Sequence, residues 1–190
     1  MVSSTPSDAV VCDVCSRTVL AAGSVSVVTG GGSSIEAVRR LLATLVAAKP
    51  RGRVVELGTA YGDGALAMVA ALAADATFVT VENDPERFRL AAQRLAGTRA
   101  EMVLGDWREL IPERGPFDLV FLDAGDAAEN AELAISLLAP GGILVKDDLT
   151  PGRAREGDPV REALLGDPRL VACEIQTTAN TAAIVAVRRS

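Results

Sequence analysis

Short apolar runs alternate with segments of helical periodicity along most of the chain. The apolar runs lie at 53–57, 77–81, 101–104, 117–122 and 143–146. Each has the length of a buried strand, and the intervening segments repeat apolar residues every three or four positions, which predicts helices. Five such units predict a parallel sheet covered by helices on both faces. Two further runs, 170–176 and 182–188, predict a closing antiparallel hairpin and a sheet of seven strands.

Residues that begin or end helices punctuate this pattern. Ser33 and Glu36 have the spacing of a capping box before a helix whose apolar positions run from 35 to 46 and which ends near Lys49-Pro50. Asp84 and Pro85 cap and open another helix. Further helices are predicted at 65–74, 127–138 and 159–165, and Pro140-Gly141-Gly142 separates the second of these from the strand at 143–146.

The first 32 residues lack this regularity. The segment 16–28 alternates weakly, which leaves a helix and a lid segment as open alternatives, and Thr29-Gly30-Gly31-Gly32 is a flexible joint. We therefore divide the chain into an N-terminal segment or lid, 1–32, and one domain, 33–190.

Composition narrows the partners and the compartment. The chain has 190 residues, 49% of them hydrophobic, and a formal net charge of −6 without a basic run. This disfavours nucleic acid and anionic membranes as partners. No apolar run approaches the length of a membrane span, and the start lacks the features of a signal peptide. We expect a cytoplasmic protein of one domain.

Histidine and cysteine chemistry is restricted. The chain has no histidine, which removes the commonest general base at neutral pH. Catalysis would use carboxylates, a lysine, a tyrosine, a metal or positioning alone. The pair Cys12 and Cys15 has no second pair to complete a zinc site, and Cys173 lies far away. We expect ordinary thiols in a reducing cytosol.

A glycine turn follows the first predicted strand and opens a helix, as in nucleotide sites of α/β proteins. The turn reads Glu56-Leu57-Gly58-Thr59-Ala60-Tyr61-Gly62-Asp63-Gly64. Ala60 breaks the G-x-G spacing of a dinucleotide fingerprint, which disfavours a nicotinamide dehydrogenase. An acid two residues before the first glycine suits a ligand that carries a cation or an amine.

This turn resembles that of the class I S-adenosylmethionine-dependent methyltransferases, and most nearly the E-L-G-x-x-x-G turn of the catechol and caffeoyl-CoA type O-methyltransferases. The resemblance covers about 33–188 and implies a Rossmann-like, doubly wound, mostly parallel sheet. In that family the turn cradles the amino acid part of the cofactor. The residues it implies here are Glu56, Gly58, Thr59, Tyr61, Gly62 and Gly64.

Polar residues after the second and third strands complete the expected cofactor site. Glu82 and Asn83 follow the second strand, and an acid there can accept hydrogen bonds from ribose hydroxyls. Gly105, Asp106 and Trp107 follow the third strand, where the family meets the adenine. Asp106 is equally explained as a helix N-cap, and Trp107 as core cover.

Acids after the fourth and fifth strands resemble a metal site. Residues 117–124 read F-D-x-x-F-x-D-A, and 141–148 end in Asp147-Asp148 where the family usually has D-N. The resemblance implies that Asp123, Asp147 and Asp148 hold a hard divalent cation, magnesium or calcium, which takes oxygen ligands and lowers the pKa of a bound hydroxyl.

The chain departs from that family at two positions. Asp148 replaces the asparagine, and Asp126 stands where a lysine takes the proton from the acceptor. Clustered carboxylates repel unless a cation intervenes, and the cation could be a metal, the sulfonium or an amine substrate. Asp123 and Asp126 are the candidate catalytic residues. Lys146 is not favoured as a base because it should point away from Asp147 on a strand.

These observations predict methyl transfer from S-adenosylmethionine to a small-molecule acceptor, at a hydroxyl oxygen, with a metal as an open option. The loop over 148–158 and the N-terminal segment are expected to shape the acceptor pocket. An aminopropyltransferase and a non-catalytic S-adenosylmethionine-binding module remain alternatives. Relatives of this type often form homodimers, although no residue pattern here marks an interface.

Overall fold

The computed structural model describes residues 34–190. Its helices are α1 (Glu36–Ala47), α2 (Asp63–Ala70), α3 (Pro85–Leu95), α4 (Trp107–Leu110), α5 (Ala127–Ser136) and α6 (Pro159–Leu165), with a 3-10 turn at Pro112–Arg114. Its strands are β1 (Arg53–Leu57), β2 (Thr77–Glu82), β3 (Ala100–Leu104), β4 (Phe117–Leu122), β5 (Leu138–Leu149), β6 (Leu170–Gln176) and β7 (Ala182–Arg188).

The seven strands form one sheet in the order β3-β2-β1-β4-β5-β7-β6. Neighbours from β3 to β5 are parallel, whereas β7 pairs antiparallel with both β5 and β6. This confirms the predicted α/β fold with its closing hairpin. The chain winds outward from β1 in one direction and from β4 in the other, so a crevice is expected where their carboxyl ends meet.

Neighbouring strand residues point to opposite faces of the sheet, so the apolar strands present apolar side chains on both faces and helices cover both of them. Val54 of β1 packs with α1 and α2, while Val55 packs with α5 on the other face. The central strands are buried on both faces, as expected for parallel strands between two helical layers. Asp118, at the amino end of β4, accepts a hydrogen bond of 2.8 Å from the Arg53 N–H and so joins the starts of β1 and β4.

Most predicted elements are present, with shifted ends. The bounds of β1, β4, α6, β6 and β7 agree with the prediction. The helix predicted at 65–74 is α2, which begins and ends earlier. The capping box at Ser33 and Glu36 was wrong: α1 has Ile35 as its N-cap, without a side-chain hydrogen bond. Glu36 instead pairs with Arg39 and Arg40.

The largest correction concerns β5. We expected α5 to continue to residue 138 and the strand to occupy 143–146, but α5 ends at Ser136 and β5 runs through Leu149. The glycines of Pro140-Gly141-Gly142 therefore lie within the strand, where Gly142 has no room for a side chain between Ala139 and Phe117 backbone atoms. Asp147 and Asp148 lie inside the strand instead of following it.

The predicted lid at 1–32, the Cys12 and Cys15 pair and Ser33 lie outside the described residues. Within 34–190, the free thiol of Cys173 is exposed. No helix in this part of the chain combines the length and apolar character needed to cross a membrane.

Candidate functional site

A cavity of about 360 Å³ opens at the carboxyl ends of the parallel strands. Nine predicted site residues line it: Gly58, Glu82, Asn83, Gly105, Asp106, Trp107, Asp123, Asp126 and Asp148. Glu82 ends β2, Asp148 lies in β5, and the others follow β1, β2, β3 or β4. The order of the strands in the sheet therefore sets the order of these residues along the cavity.

The glycine turn brings backbone close to this cavity. Gly58 has a φ of +102°, and a Cβ there would lie 2.8 Å from the Asp123 carbonyl oxygen and 2.9 Å from the Ala124 Cβ. The N–H groups of Gly58 and Thr59 both donate to the Val81 carbonyl oxygen at 3.0 Å. Only glycine fits this conformation and this approach, which fixes the turn against the ends of β2 and β4.

Five other predicted residues of the glycine turn do not line this cavity. Among the described residues, the following members of the turn do not line the cavity: Glu56, Thr59, Tyr61, Gly62 and Gly64. The Tyr61 carbonyl accepts from Arg94, and the Arg87 guanidinium lies 6.0 Å from the centre of the Tyr61 ring. These residues contribute to the shape of the turn but not to the lining of the cavity.

Glu56 is fully buried beneath the turn. The Thr80 hydroxyl donates to Glu56 Oε2 at 2.5 Å, so the Thr59 hydroxyl, 2.6 Å from that of Thr80, must be the donor of that second bond. A Cβ at Gly64 would lie 2.5 Å from Glu56 Oε1. Burial raises the pKa of Glu56 well above its ordinary value. Through the two threonine hydroxyls, Glu56 is hydrogen-bonded to Thr59 in the turn.

Glu82 joins β2 to the glycine turn. It is 5% exposed, and its Oε2 accepts a hydrogen bond of 2.7 Å from the Ala60 N–H. Its Oε1 accepts one of 3.0 Å from the Asp84 N–H, where the chain enters α3. Each carboxylate oxygen keeps a further lone pair toward the cavity.

Asp106 is the N-cap of α4, which is one of the two roles predicted for it. Its carboxylate also holds the Arg108 guanidinium, with Nε 3.0 Å from both oxygens. These contacts lower the pKa of Asp106. Trp107 is buried in the core beside α5, which agrees with the expected role as core cover, and it also lines the cavity.

Asp123, Asp147 and Asp148 converge at the β4 and β5 side of the cavity. One oxygen from each lies within 4.8 Å of the other two. Asp147 is 2% exposed, and its Oδ1 is the one buried side-chain nitrogen or oxygen atom in 34–190 without a hydrogen-bond partner in the protein. Buried polar atoms are almost always paired, so this oxygen is available to a ligand such as a cation.

The electrostatics of this cluster are unfavourable without a cation. Burial, and then the charge of Asp147, raises the pKa of Asp123 to about 8. Burial, and then the charge of Asp148, raises the pKa of Asp147 to about 6. The charge of Lys146 opposes both shifts, so this ammonium acts on the cluster although it is adjacent to Asp147 in the strand. Three oxygen donors of this kind suit a hard divalent cation.

A β-bulge brings the two consecutive aspartates to the same cluster. Lys146 pairs with Ile184 and Leu149 pairs with Ala182, so three steps along β5 match two along β7. Asp148 takes a φ of +60° at the extra residue. A non-glycine residue in this conformation costs about 1–2 kcal/mol. We call 146–149 the aspartate bulge. In a regular strand the side chains of Asp147 and Asp148 would point to opposite faces of the sheet, whereas the irregular backbone of the bulge lets both reach the same cluster.

Asp126 lies at the edge of the cavity as the N-cap of α5. Its Oδ1 accepts hydrogen bonds from the N–H groups of Ala128, at 2.8 Å, and Glu129, at 3.3 Å. The position that holds a lysine in the resembled family is thus used here to start a helix.

Sequence reasoning missed several residues of this region. Arg87, Arg108, Glu129 and Asn130 also line the cavity. Arg87 and Arg108 each follow an N-cap aspartate by two or three residues, and that spacing could have placed them on the first turn of a helix at the cavity. Arg161 contributes to a second cavity beside Asp148, and only its burial distinguishes it from a surface arginine.

Comparison with known proteins agrees with this geometry. The sequence profile of a family described as a methyltransferase domain matches residues 55–149, half of the chain, and the chain therefore belongs to this family. A protein of Mycobacterium avium (strain 104) named "Putative O-methyltransferase" is 30% identical over an alignment of 139 residues that covers 68% of this chain. The chain spans 62% of the length of that relative.

Solved structures share the fold. The O-methyltransferase from Bacillus cereus, in complex with SAH, superposes with a TM-score of 0.70 at 22% identity, over 84% of each chain. The O-methyltransferase TomG from Streptomyces achromogenes, involved in tomaymycin synthesis and in complex with SAM, has a TM-score of 0.68 and 25% identity. The match covers 84% of this chain and 82% of TomG.

Proposed function

We propose that the protein is an S-adenosylmethionine-dependent methyltransferase that acts on a hydroxyl oxygen of a small-molecule acceptor. The observation that carries this proposal is a single cavity that has Glu82 and Trp107 toward β2 and β3, and Asp123 and Asp148 toward β4 and β5. The relatives named as O-methyltransferases, and the SAH and SAM of the two structural neighbours, support the cofactor.

The β1 to β3 side of the cavity is the proposed cofactor site. S-adenosylmethionine, when bound, supplies an electrophilic methyl group on a sulfonium cation. The free lone pairs of the Glu82 carboxylate suit ribose hydroxyls, and the flat Trp107 ring suits a purine. The full set of proposed cofactor residues is Glu56, Gly58, Thr59, Tyr61, Gly62, Gly64, Glu82, Asn83, Gly105, Asp106, Trp107 and Asp123, with those behind the turn acting through its shape.

The β4 and β5 side is the proposed metal and acceptor site. The donor set of Asp123, Asp147 and Asp148 fits magnesium or calcium, and the unpartnered Oδ1 of Asp147 supports a cation there. A bound cation would lower the pKa of an acceptor hydroxyl. The carboxylates hold this position and orient the acceptor, so the main contribution of the protein to an in-line displacement is alignment of the two reactants.

Asp123 and Asp126 are the proposed catalytic residues. Asp123 faces the cavity between the cofactor and acceptor sides, and Asp126 lies at its rim. A carboxylate at either place can accept the proton of the acceptor hydroxyl. Asp126→Asn separates this role from a structural one, because asparagine is also a good N-cap. We expect Asp126→Asn to retain SAH binding and stability and to lower turnover.

The test is calorimetric titration with S-adenosylhomocysteine, with and without magnesium, followed by a panel of hydroxyl and amine acceptors in which product S-adenosylhomocysteine is measured. Binding with turnover of a hydroxyl acceptor supports the proposal. Absence of binding by a folded sample would overturn it. Binding without turnover of any acceptor would favour a non-catalytic module, and preference for decarboxylated S-adenosylmethionine would favour an aminopropyltransferase.

The extent of the unit and its assembly are part of the proposal. We propose that 33–190 form the methyltransferase domain, which is supported by the position of every described element between Glu36 and Arg188. The predicted N-terminal segment or lid, 1–32, lies outside the described residues. The family resemblance further implies a homodimer, which light scattering on the same sample measures.

A further inference from the structure

Arg161 is a buried cation to which neither the fold prediction nor the proposed chemistry assigns a role. It is the third residue of α6 and is 1% exposed. A buried charge is strongly unfavourable unless it is fully paired. Its partners therefore indicate what it holds in place.

The guanidinium joins three separate segments. Its Nε and Nη2 donate to the two oxygens of Glu174 on β6, at 2.6 and 2.8 Å. Its Nη1 donates to Asp158, the N-cap of α6, at 2.5 Å. Its Nη2 also donates to the Thr150 carbonyl oxygen at 2.7 Å. Two carboxylates compensate the positive charge, and the planar geometry of the guanidinium fixes the Thr150 carbonyl relative to both of them.

Thr150 lies directly after the aspartate bulge. It is two residues from Asp148, whose left-handed backbone must be maintained by its surroundings. Arg161, Thr150 and Asp148 also line a common cavity of about 490 Å³, which shares Asp148 with the first cavity. A displacement of the Thr150 carbonyl would therefore reach the aspartate cluster through two residues of backbone.

We infer that Arg161 is a positioning residue: by holding the Thr150 carbonyl against β6 and α6, it keeps the aspartate bulge in the conformation that directs Asp147 and Asp148 toward Asp123. This inference rests on the proposed function only for what the aspartates bind. The positioning itself concerns the backbone of this chain.

Arg161→Lys tests it, because lysine keeps the charge and cannot make all four contacts. Arg169→Lys is the matched control: Arg169 also pairs with two carboxylates, Glu132 and Asp167, but at the opposite end of β6. Hydrogen exchange is followed by mass spectrometry across the chain, and magnesium and S-adenosylhomocysteine are titrated separately. Circular dichroism checks that each variant is folded.

For Arg161→Lys, exchange at 147–158 is expected to accelerate about tenfold, with the glycine turn at 58–64 unchanged. Magnesium affinity is expected to fall about tenfold, as for outer-shell partners of metal ligands, while S-adenosylhomocysteine affinity changes less than about twofold. Arg169→Lys should leave exchange at 147–158 and magnesium affinity unchanged.

Unchanged exchange at 147–158 in a folded Arg161→Lys protein would overturn the inference. A uniform acceleration of exchange over the whole chain would also overturn it, because that result would show a general structural role for Arg161. If the wild-type protein binds no magnesium, the metal part of the proposed function fails and exchange alone decides the positioning role. If Arg161→Lys does not fold, Glu174→Gln replaces it, with an expected acceleration of about threefold at 147–158. Unchanged exchange in that variant would overturn the inference.

Discussion

The Glu82 carboxylate accepts a hydrogen bond of 2.7 Å from the Ala60 N–H, which fastens the end of β2 to the glycine turn after β1. Ala60 itself has a φ of +46°, so the turn includes a non-glycine residue in the left-handed region. Such a residue persists only where its surroundings hold it. Glu82 thus shapes the cavity as well as lining it.

Glu82→Ala is therefore expected to affect both stability and ligand binding. Loss of the acceptor leaves the N–H groups of Ala60 and Asp84 unpaired, which should lower the free energy of unfolding by about 1–3 kcal/mol. Affinity for S-adenosylhomocysteine should fall at least about tenfold by calorimetry. Glu101→Ala, which removes an exposed acid of β3 paired with Arg114, is the control and should change neither quantity. Wild-type affinity in Glu82→Ala would contradict the proposed ribose contact.

Gly58→Ala should be far more damaging than a glycine replacement elsewhere. The new methyl group would meet the Asp123 carbonyl oxygen and the Ala124 Cβ at 2.8 and 2.9 Å, in addition to the strain of a positive φ. We expect a loss of about 2–4 kcal/mol in stability and loss of S-adenosylhomocysteine binding. Denaturant unfolding and calorimetry measure the two effects.

Gly97→Ala is the matched control for that substitution. Gly97 also has a positive φ, of +77°, but nothing lies within 4 Å of a Cβ there. Its cost should be limited to backbone strain, about 1 kcal/mol, with binding intact. Equal costs at the two positions would show that the close approach of β4 to the turn has no energetic consequence.

Magnesium affinity should rise with pH. The folded pKa values of Asp123 and Asp147 are raised to about 8 and about 6, so both groups hold protons at pH values where free aspartate is ionised. A divalent cation requires the ionised forms and must displace these protons. Calorimetry between pH 5.5 and 8.5, about the span of these two values, should show tighter binding at the higher end and proton release on binding.

Asp147→Asn should abolish this binding, whereas Asp75→Asn, an exposed acid distant in sequence from the cluster, should have no effect. Affinity that is independent of pH over this range would contradict direct coordination by Asp123 and Asp147.

Glu56→Gln should flatten the pH dependence of stability. The folded pKa of Glu56 is raised well above its ordinary value, so the unfolded chain loses this proton first as the pH rises. Wild-type stability should therefore fall above about pH 4.5, by up to about 1.4 kcal/mol per pH unit, until the folded pKa is reached. Glutamine has no proton to lose, and it retains an oxygen acceptor for Thr80. Urea unfolding at several pH values measures the slope, and an identical slope in the variant would show that Glu56 is ionised in the folded protein.

The alternation of strands and helices could be predicted from the sequence because buried parallel strands form short continuous apolar runs, whereas the helices that cover them repeat apolar residues every three or four positions. The bounds of β1, β4 and β7 followed from apolar runs alone. Helix ends were harder to predict, since capping depends on a few local contacts: Asp84 caps α3 as predicted, whereas the N-cap position of α1 is Ile35, which makes no side-chain capping hydrogen bond.

The α/β fold, the glycine turn and the placement of the acids near the carboxyl ends of the strands could be predicted from the sequence, because these depend on local composition and on the common direction of parallel strands. The use of the acids, and the position of Asp147 and Asp148 within β5, depend on tertiary contacts. Glu56 is held beneath the turn by a hydrogen bond from the Thr80 hydroxyl of the neighbouring strand. Asp147 and Asp148 reach Asp123 together because β5 and β7 pair with one residue in excess on β5. Pairing register and burial arise from contacts between distant segments, which no local pattern along one segment specifies.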